Sequence, residues 1–413
     1  MNTKNNINSK KINSIDFLCL FLLTLYPLTL ILGNLFINVF TLLFSISFFY
    51  NFKERKDYLN QKIFYLLIFF FISLLINLIF STNPENSFPR IIKLLFVIFF
   101  IFETRRFVQN YEASYMRYVY GSWLVIFLII TIDILFEITF GYNSIGMKSY
   151  MPGRIVSFFR DELVVGAFYH GFVLFFLSYM ISRWSKNNIL ILLIIGVLLV
   201  SFIIGERSNF IKLFLSVLIF TSLVFKINYK IKIVSILFVI TIIITLINFN
   251  QNFKTRYFEQ IKTVFSVNGY SNFMKESQHG AHRDVAVNIF KDNLFFGVGV
   301  KNFRHESWKE KYENKEYLLT HKRYATHPHQ VHYEMLSETG LFGYLSFFIF
   351  CLLSLVMAIN SYLKIKNIYH LSSIIYVITS LMPILPSGSF LSTFSGGIFW
   401  INFAIMCAYI KKN

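Results

Sequence analysis

Residues 326–343 read THPHQVHYEMLSETGLFG, and this stretch joins a long polar segment to an apolar run. It contains three histidines, two glutamates and two glycines. The polar segment begins at about Phe249, and the apolar run extends from Leu341 to Ala358. Dense polarity at the edge of a membrane span is costly, and it is kept where it serves a function. We therefore place the functional centre of the chain in this stretch.

The composition around this stretch is that of a membrane protein. Of 413 residues, 55% are apolar, 51 are Phe and only 15% are charged. Several apolar runs reach the ~20 residues that a helix needs to cross a bilayer. They do not alternate with the period of two that a membrane barrel requires. The sequence therefore predicts an all-α, polytopic membrane protein whose first span is retained rather than cleaved.

The apolar runs predict about twelve transmembrane helices and three regions. Residues 1–248 form a membrane domain of spans 1–9, residues 249–334 form the outer segment, and residues 335–413 form spans 10–12. Within the outer segment, helices are expected at 253–267, 281–290 and 303–317. The runs lie near 15–32, 34–50, 62–80, 90–102, 117–138, 163–182, 188–204, 209–225, 230–248, 337–360, 368–384 and 390–410.

The charge pattern predicts the orientation of these spans. If the N-terminus is cytoplasmic, every inner connection is short and basic, as the positive-inside rule requires. The outer connections 81–89 and 385–389 contain no Lys or Arg. We expect both termini in the cytoplasm, and the net charge of +18 then requires no nucleic-acid partner. The basic residues of the inner segments are Lys4, Lys10, Lys11, Lys53, Arg55, Lys56, Arg105, Arg106, Arg183, Lys186, Lys226, Lys230, Lys232, Lys364, Lys366, Lys411 and Lys412.

Three arginines lie in short outer connections, against this bias. Arg154 and Arg160 fall in the connection 139–162, and Arg207 lies in the tight turn between two spans. An arginine on the translocated side is a candidate for function. Arg207 has a second interpretation, as an anchor whose charged head reaches the membrane interface.

Seven of the nine histidines lie in the outer segment. Three interpretations are open: a metal site, ordinary surface histidines, or a general base near neutral pH. No carboxylate or cysteine occurs at a recognisable ligand spacing, and the three cysteines lie in apolar runs. The seven are His279, His282, His305, His321, His327, His329 and His332.

The opening stretch resembles the signature of the O-antigen ligase family and of the wider ligase/polymerase superfamily. That signature is His, then Asn, Ser or Gln, nine residues, and Gly-x-x-Gly. Here His329-Gln330 is followed by nine residues and by Gly340-Leu-Phe-Gly343. Ligases often continue with Thr-Gly, whereas this chain continues with Tyr344-Leu, which shifts the resemblance toward polymerases.

Further segments resemble the same family. Residues 283–303, from Arg283 through Gly297-Val-Gly299, are similar to its Arg … Gly-x-Gly … Phe stretch. Arg207 matches the arginine that the family carries on its outer face. Residues 157–166, SFFRDELVVG, are similar to a family segment with Asp-Glu before a span.

The resemblance implies a GT-C-like membrane glycosyltransferase of the bacterial inner membrane. Such proteins transfer a glycan from a polyprenyl-diphosphate lipid to an acceptor hydroxyl, here as an O-antigen ligase with lipid A-core or another glycan as acceptor. It implies His329 as base, with Arg207 and Arg283 holding the diphosphate. No metal, ATP or other cofactor is implied, because the activated lipid carries the energy. Weaker candidates for substrate binding are His327, Gln330, His332, Arg154 and Arg160.

Three alternative functions stay open. An O-antigen polymerase uses the same donor chemistry, and a protein O-oligosaccharyltransferase differs in its acceptor. A twelve-span transporter belongs to another class, and transporters usually show two related halves and ionisable residues at mid-membrane. Here the long segment divides the predicted spans nine to three, and the spans are nearly free of charge.

Overall fold

The computed structural model describes residues 12–410, apart from 51, 56–58, 60, 113, 161, 185–186, 225–228, 260–261, 263 and 267. All regular secondary structure within these residues is helical, as predicted. Asp161 and eight of the inner-segment lysines lie outside them: Lys4, Lys10, Lys11, Lys56, Lys186, Lys226, Lys411 and Lys412.

Fourteen helices of at least eight residues make up most of the described chain. They are α1 (Ser14–Leu32), α2 (Asn34–Phe49), α3 (Lys62–Ile79), α4 (Pro84–Tyr111), α5 (Met116–Phe140), α6 (Val165–Arg183), α7 (Asn187–Ile203), α8 (Arg207–Val224), α9 (Tyr229–Phe249), α10 (Gly269–Glu276), α11 (Gln278–Asp292), α12 (Val331–Ile365), α13 (Ile368–Ser380) and α14 (Thr393–Ala408).

Twelve of these helices coincide with the twelve predicted apolar runs, and the other two lie in the outer segment. By length and apolarity, six could cross a membrane alone: α1, α3, α5, α6, α8 and α12. The bent pair Ile236–Phe249 and Gln251–Glu259 would make a seventh, while α2, α7, α13 and α14 are apolar but shorter. The structure confirms a polytopic helical membrane protein, and the count of twelve spans stays a prediction.

Local chemistry sets the ends of several helices. Asn13 caps α1 by accepting a hydrogen bond from the Asp16 amide at 2.7 Å. Gly33, at φ 107°, separates α1 from α2. Pro84 opens α4, where its missing N–H costs nothing. The predicted short span at 90–102 is therefore the middle of a helix of 28 residues.

The bundle is organised around α4 and α12. Helix α4 packs against α2, α3 and α14, and α12 packs against α3. Aromatic rings fill these contacts: Phe70 and Phe350 stack at 5.6 Å between ring centroids. Large apolar side chains cover the outside of the bundle, including Leu35 at 70% and Ile79 at 78% exposure. That pattern suits a surface surrounded by lipid.

The outer segment covers one end of the bundle and has a small core of its own. This core consists of Val285, Ala286, Ile289, Val298, Phe303 and Tyr312. The helix expected at 281–290 is present as α11. The helix expected at 253–267 begins with the turn Gln251–Phe253 and continues as the π-helix Lys254–Glu259. Residues 262 and 264 are also helical, and 260, 261, 263 and 267 lie outside the described residues.

The helix expected at 303–317 is wrong. Only Phe303–Glu306 is α-helical, and a 3-10 turn follows at Glu310–Tyr312. Lys309 is extended between them, at φ −62° and ψ 134°. Tyr312 turns into the small core, and Asn314 donates to the Asp284 carboxylate at 3.3 Å. These tertiary contacts prevail over the weak local preference for helix.

Candidate active site

His329 lies in a strained position just before α12. Its φ is 57°, in the left-handed region, which costs an L-residue roughly 1–2 kcal/mol. Its carbonyl accepts a hydrogen bond from the Ser387 amide at 2.8 Å. The Ser387 hydroxyl in turn accepts from the Val331 amide at 3.0 Å. Strain of this kind persists where the surroundings enforce it, and it is concentrated at functional sites.

Four histidines meet at this point, and we call them the histidine cluster: His279, His282, His327 and His329. The His329 ring stacks on that of His282 at 5.1 Å between centroids. The rings of His327 and His279 lie at 4.2 Å and 5.8 Å from it. His279 and His282 are three residues apart on α11 and therefore share one face.

Ring nitrogens of His282 and His329 have no hydrogen-bond partner among the described residues. His282 donates from Nε2 to the Lys322 carbonyl at 3.0 Å, and its Nδ1 is buried without a partner in the described structure. The His329 imidazole makes no hydrogen bond to any described residue; only its backbone is bonded. The ring of His329 is thus positioned by packing, with its nitrogens free for a substrate.

The cluster is electrically neutral at pH 7. Burial, together with the three neighbouring imidazoles, lowers the pKa of His329 to about 2. Burial and the Lys301 charge lower the pKa of His327 to about 3, and burial beside His279 lowers that of His282 to about 4. Each ring therefore presents a lone pair.

The geometry does not favour a shared metal ion. Within the described residues, no three ring nitrogens of the histidine cluster lie within 4.8 Å of one another. Three potential ligands do converge elsewhere, at Asp16, Cys19 and Glu103. That group is already held by Arg106, whose Nη2 lies 2.7 Å from a Glu103 oxygen.

Two predicted residues of the motif have structural partners. Gln330 caps α12 by accepting from the amides of His332 at 2.7 Å and Tyr333 at 3.0 Å. His332 bonds the Tyr344 hydroxyl through Nδ1 at 3.1 Å and the Leu381 carbonyl through Nε2 at 2.8 Å. The Gln330 cap and the Tyr344 bond lie within α12, and the Leu381 bond attaches α12 to the end of α13.

A group of arginines borders the cluster at the start of α8. Arg207 donates from Nη1 to the Arg256 carbonyl at 2.8 Å, and Arg256 donates to the Gly205 carbonyl at 3.0 Å. Arg154 pairs with Glu206 at 3.2 Å. Crowding by protein atoms and the Arg207 charge lower the pKa of His279, although part of this residue is exposed. The sequence did not single out Arg256, which the π-helix brings to this group.

Arg283 and Arg160 are placed differently. Arg283 is half-buried on α11, with its guanidinium carbon 5.5 Å from the centre of the Tyr333 ring. It lies one turn after His279 and so faces the cluster side of the helix. Arg160 is exposed at the end of the 3-10 turn Ser157–Phe159, at φ 57°.

Three buried ionisable side chains, Glu334, Glu338 and Lys301, connect the segments around the site. The Glu334 carboxylate accepts from the Phe390 amide at 2.8 Å and lies 3.8 Å from Lys301 Nζ. Glu338 accepts from the Lys301 amide at 2.7 Å. All three side chains are almost fully buried. They join α12 to the Gly-x-Gly turn and to the chain before α14.

Residues 163–348 match the family described as O-antigen ligase. This match, which covers slightly less than half of the chain, supports the O-antigen ligase/polymerase superfamily. The matched range begins two residues before α6, contains Arg207 and the histidine cluster, and ends within α12. No curated protein matches the chain.

The family match confirms the resemblance found in the sequence. It supports a multi-pass membrane enzyme of glycosyl transfer that acts on lipid-linked glycans.

Proposed function

We propose that the protein is an O-antigen ligase of the bacterial inner membrane. It transfers a glycan from a polyprenyl-diphosphate donor to a hydroxyl of lipid A-core at the outer face. The observation that carries this proposal is the His329 imidazole, which makes no hydrogen bond to described residues. Its ring lies 5.8 Å from that of His279, the histidine on which the Arg207 charge acts.

The reaction requires one base and a place for negative charge. The acceptor hydroxyl oxygen attacks the anomeric carbon, and the bond from that carbon to the diphosphate oxygen breaks. The hydroxyl proton passes to the free nitrogen of His329. The diphosphate leaves with its electron pair and needs no general acid, because it is already a stable anion.

The arginines stabilise the leaving group. Arg207 and Arg283 are the proposed ligands of the diphosphate, because a guanidinium offers paired donors and a permanent charge. Arg256 and Arg154 add positive charge next to Arg207. At a partly buried site this stabilisation is stronger than it would be in water.

Binding of the donor increases the basicity of His329. An imidazole with a pKa of about 2 is a poor proton acceptor, since general bases work best with a pKa near the working pH. A bound diphosphate brings negative charge next to the cluster and raises the proton affinity of His329. His329 thus becomes an effective base only when the donor is in place.

An O-antigen polymerase is the second candidate, favoured by Tyr344. This residue stands where ligases often carry Thr, and its hydroxyl contacts His332 Nδ1 at 3.1 Å. A strain lacking the protein distinguishes the two. Accumulation of full-length lipid-linked polymer indicates a ligase, and accumulation of single lipid-linked repeat units indicates a polymerase.

The proposal is tested with the purified full-length protein in lipid, given labelled lipid-linked glycan and lipid A-core. We expect labelled acceptor to form without ATP and in the presence of a strong chelator. Loss of transfer on chelation, with recovery on adding zinc, would contradict the metal-independent mechanism. Transfer to protein alone would indicate an O-oligosaccharyltransferase, and movement of glycan without a covalent product would indicate a transporter.

A further inference from the structure

A second basic group lies near His327 of the histidine cluster. It consists of Arg90, Lys93, Lys301 and Arg304, and we call it the α4 basic group. The charge of Arg304 acts on Arg90, and that of Lys301 acts on Lys93. Lys301 and Arg304 also contribute to the lowered pKa of His327. Two histidines of the cluster, His279 and His327, are thus each under the influence of a basic group.

Most of this charge is uncompensated. Lys301 has Glu334 at 3.8 Å. In the part of the chain that the structure describes, no carboxylate oxygen lies within 4.0 Å of a charged nitrogen of Arg90, Lys93 or Arg304. Arg90 and Lys93 are both half-buried. Partly buried like charges are unfavourable together unless an anion joins them.

The two α4 cations stand at the mouth of a groove between α2, α4 and α14. Arg90 Nη1 and Lys93 Nζ both donate to the Thr393 hydroxyl, at 3.2 Å and 3.0 Å. The groove is shallow, because the volume inside it is only about 30 Å³. Its walls below the cations are mostly apolar and include Ile37, Phe100 and Trp400.

We propose that the mouth of this groove binds the phosphorylated head group of a membrane lipid, whose hydrocarbon chains lie along the lipid-facing surface beside α2. The cations and the Thr393 hydroxyl suit phosphate oxygens, and the exposed apolar side chains beside the mouth suit a chain. A lipid is favoured over free phosphate because the groove opens beside lipid-facing surface, where Val39 is 45% exposed.

This site deepens the proposed function, on which its biological role rests. The arginine group of Arg207 holds the donor diphosphate near His279. The α4 basic group holds a second phosphorylated lipid near His327. That second lipid is the acceptor, so its hydroxyl approaches His329 past His327, whose ring lies 4.2 Å away.

Trp400, which lines the groove, allows a test that does not depend on activity. The full-length protein is placed in phosphatidylcholine nanodiscs with equal mole fractions of chain-brominated phosphatidic acid or chain-brominated phosphatidylcholine. Bromine quenches tryptophan on contact, and the Trp400→Phe variant defines the share of emission from Trp400. We expect the phosphatidic acid to quench Trp400 at lower mole fraction than phosphatidylcholine does.

An Arg90→Gln/Lys93→Gln variant should lose this preference by roughly tenfold or more, as expected for removing charge-assisted hydrogen bonds. Arg207→Gln and the exposed Arg117→Gln should keep it. Equal quenching by both lipids, an unchanged preference in the double variant, or displacement by inorganic phosphate alone would overturn the proposal. If phosphatidic acid quenches Trp400 selectively but the wild-type protein transfers no glycan, the lipid site stands and the proposed function is wrong.

Discussion

Gly297 and Gly340 contact each other backbone to backbone. Both have positive φ, 65° and 66°. A Cβ on Gly297 would lie 2.6 Å from the Gly340 nitrogen, and one on Gly340 would lie 2.5 Å from the Gly297 nitrogen. The Gly-x-Gly of the outer segment and the Gly-x-x-Gly of the motif are therefore two halves of one structural element.

This element breaks α12 and satisfies the groups that the break exposes. The Leu341 and Phe342 amides donate to the carbonyls of Leu294 and Phe295, at 2.8 Å and 3.1 Å. In the other direction, the Gly299 amide donates to the Glu338 carbonyl at 2.8 Å. The break thus sets the position of the first turns of α12, which follow His329 directly.

Gly340→Ala should destabilise the protein because it combines a positive φ with steric overlap. The conformational term alone is about 1–3 kcal/mol, and overlap with Phe295 adds to it. Gly196→Ala is the control, since a Cβ there meets no atom within 4 Å. Thermal unfolding in detergent should show a lower midpoint for Gly340→Ala alone. Equal midpoints for both variants would contradict this account of the motif glycines.

The sequence was sufficient for much of the fold. The lengths of the apolar runs predicted every long helix of the bundle, and Gly33 predicted the break between α1 and α2. The histidine composition of the outer segment located the cluster. These features depend on local pattern, which a sequence contains directly.

Other parts of the site depend on contacts between distant segments. The partners of Glu334 and Glu338 cannot be found from local pattern, because they are the Phe390 amide before α14 and the Lys301 amide. Arg90 and Lys93 lie at the start of an apolar run. Their shared partner, the Thr393 hydroxyl of α14, is distant in sequence and is visible only in the structure. Helical preference likewise could not show that Tyr312 packs in the small core of the outer segment, where it interrupts the helix expected at 303–317.

The predicted orientation is tested by labelling. Asn314 is half-buried and bonded to Asp284, so the exposed neighbour Lys315 is the better reporter. Lys315→Cys should react with an impermeant reagent in whole cells whose outer membrane is permeabilised. The native Cys19, Cys351 and Cys407 are buried and should stay unlabelled. The exposed Lys364→Cys should react only after lysis, and the reverse pattern would invert the topology.

Arg207→Lys and Arg283→Lys should each lower glycan transfer by roughly tenfold or more, because lysine lacks the planar pair of donors. Folding and insertion should be retained, since both side chains lie at the edge of the bundle. Arg117→Lys is the matched control for Arg283: it also stacks on a tyrosine, at 4.7 Å, but is exposed and distant in sequence from the site. Near-normal rates for both site variants would remove these arginines from the mechanism.

The pH dependence of transfer should differ between the free and the donor-bound enzyme. The pKa of His329 is about 2 without substrate, so kcat/KM should stay flat as the pH falls from 7 to 5. A bound diphosphate raises that pKa, which lets a proton block the base, so kcat should fall over the same range. Steady-state rates at several pH values measure both. A flat kcat, or a kcat/KM that falls first, would contradict activation of the base by the donor.

The central claim is that His329 accepts the proton of the acceptor hydroxyl. The most direct measurement compares transfer from lipid-linked donor by His329→Ala, His327→Ala and His321→Ala at matched protein levels. His321 is an exposed histidine of the same segment and serves as the control. We predict a loss of ~10²–10⁴-fold for His329→Ala, a smaller loss for His327→Ala and none for His321→Ala. Wild-type transfer by His329→Ala together with an inactive His327→Ala would contradict the account, because the base would then be the neighbouring histidine.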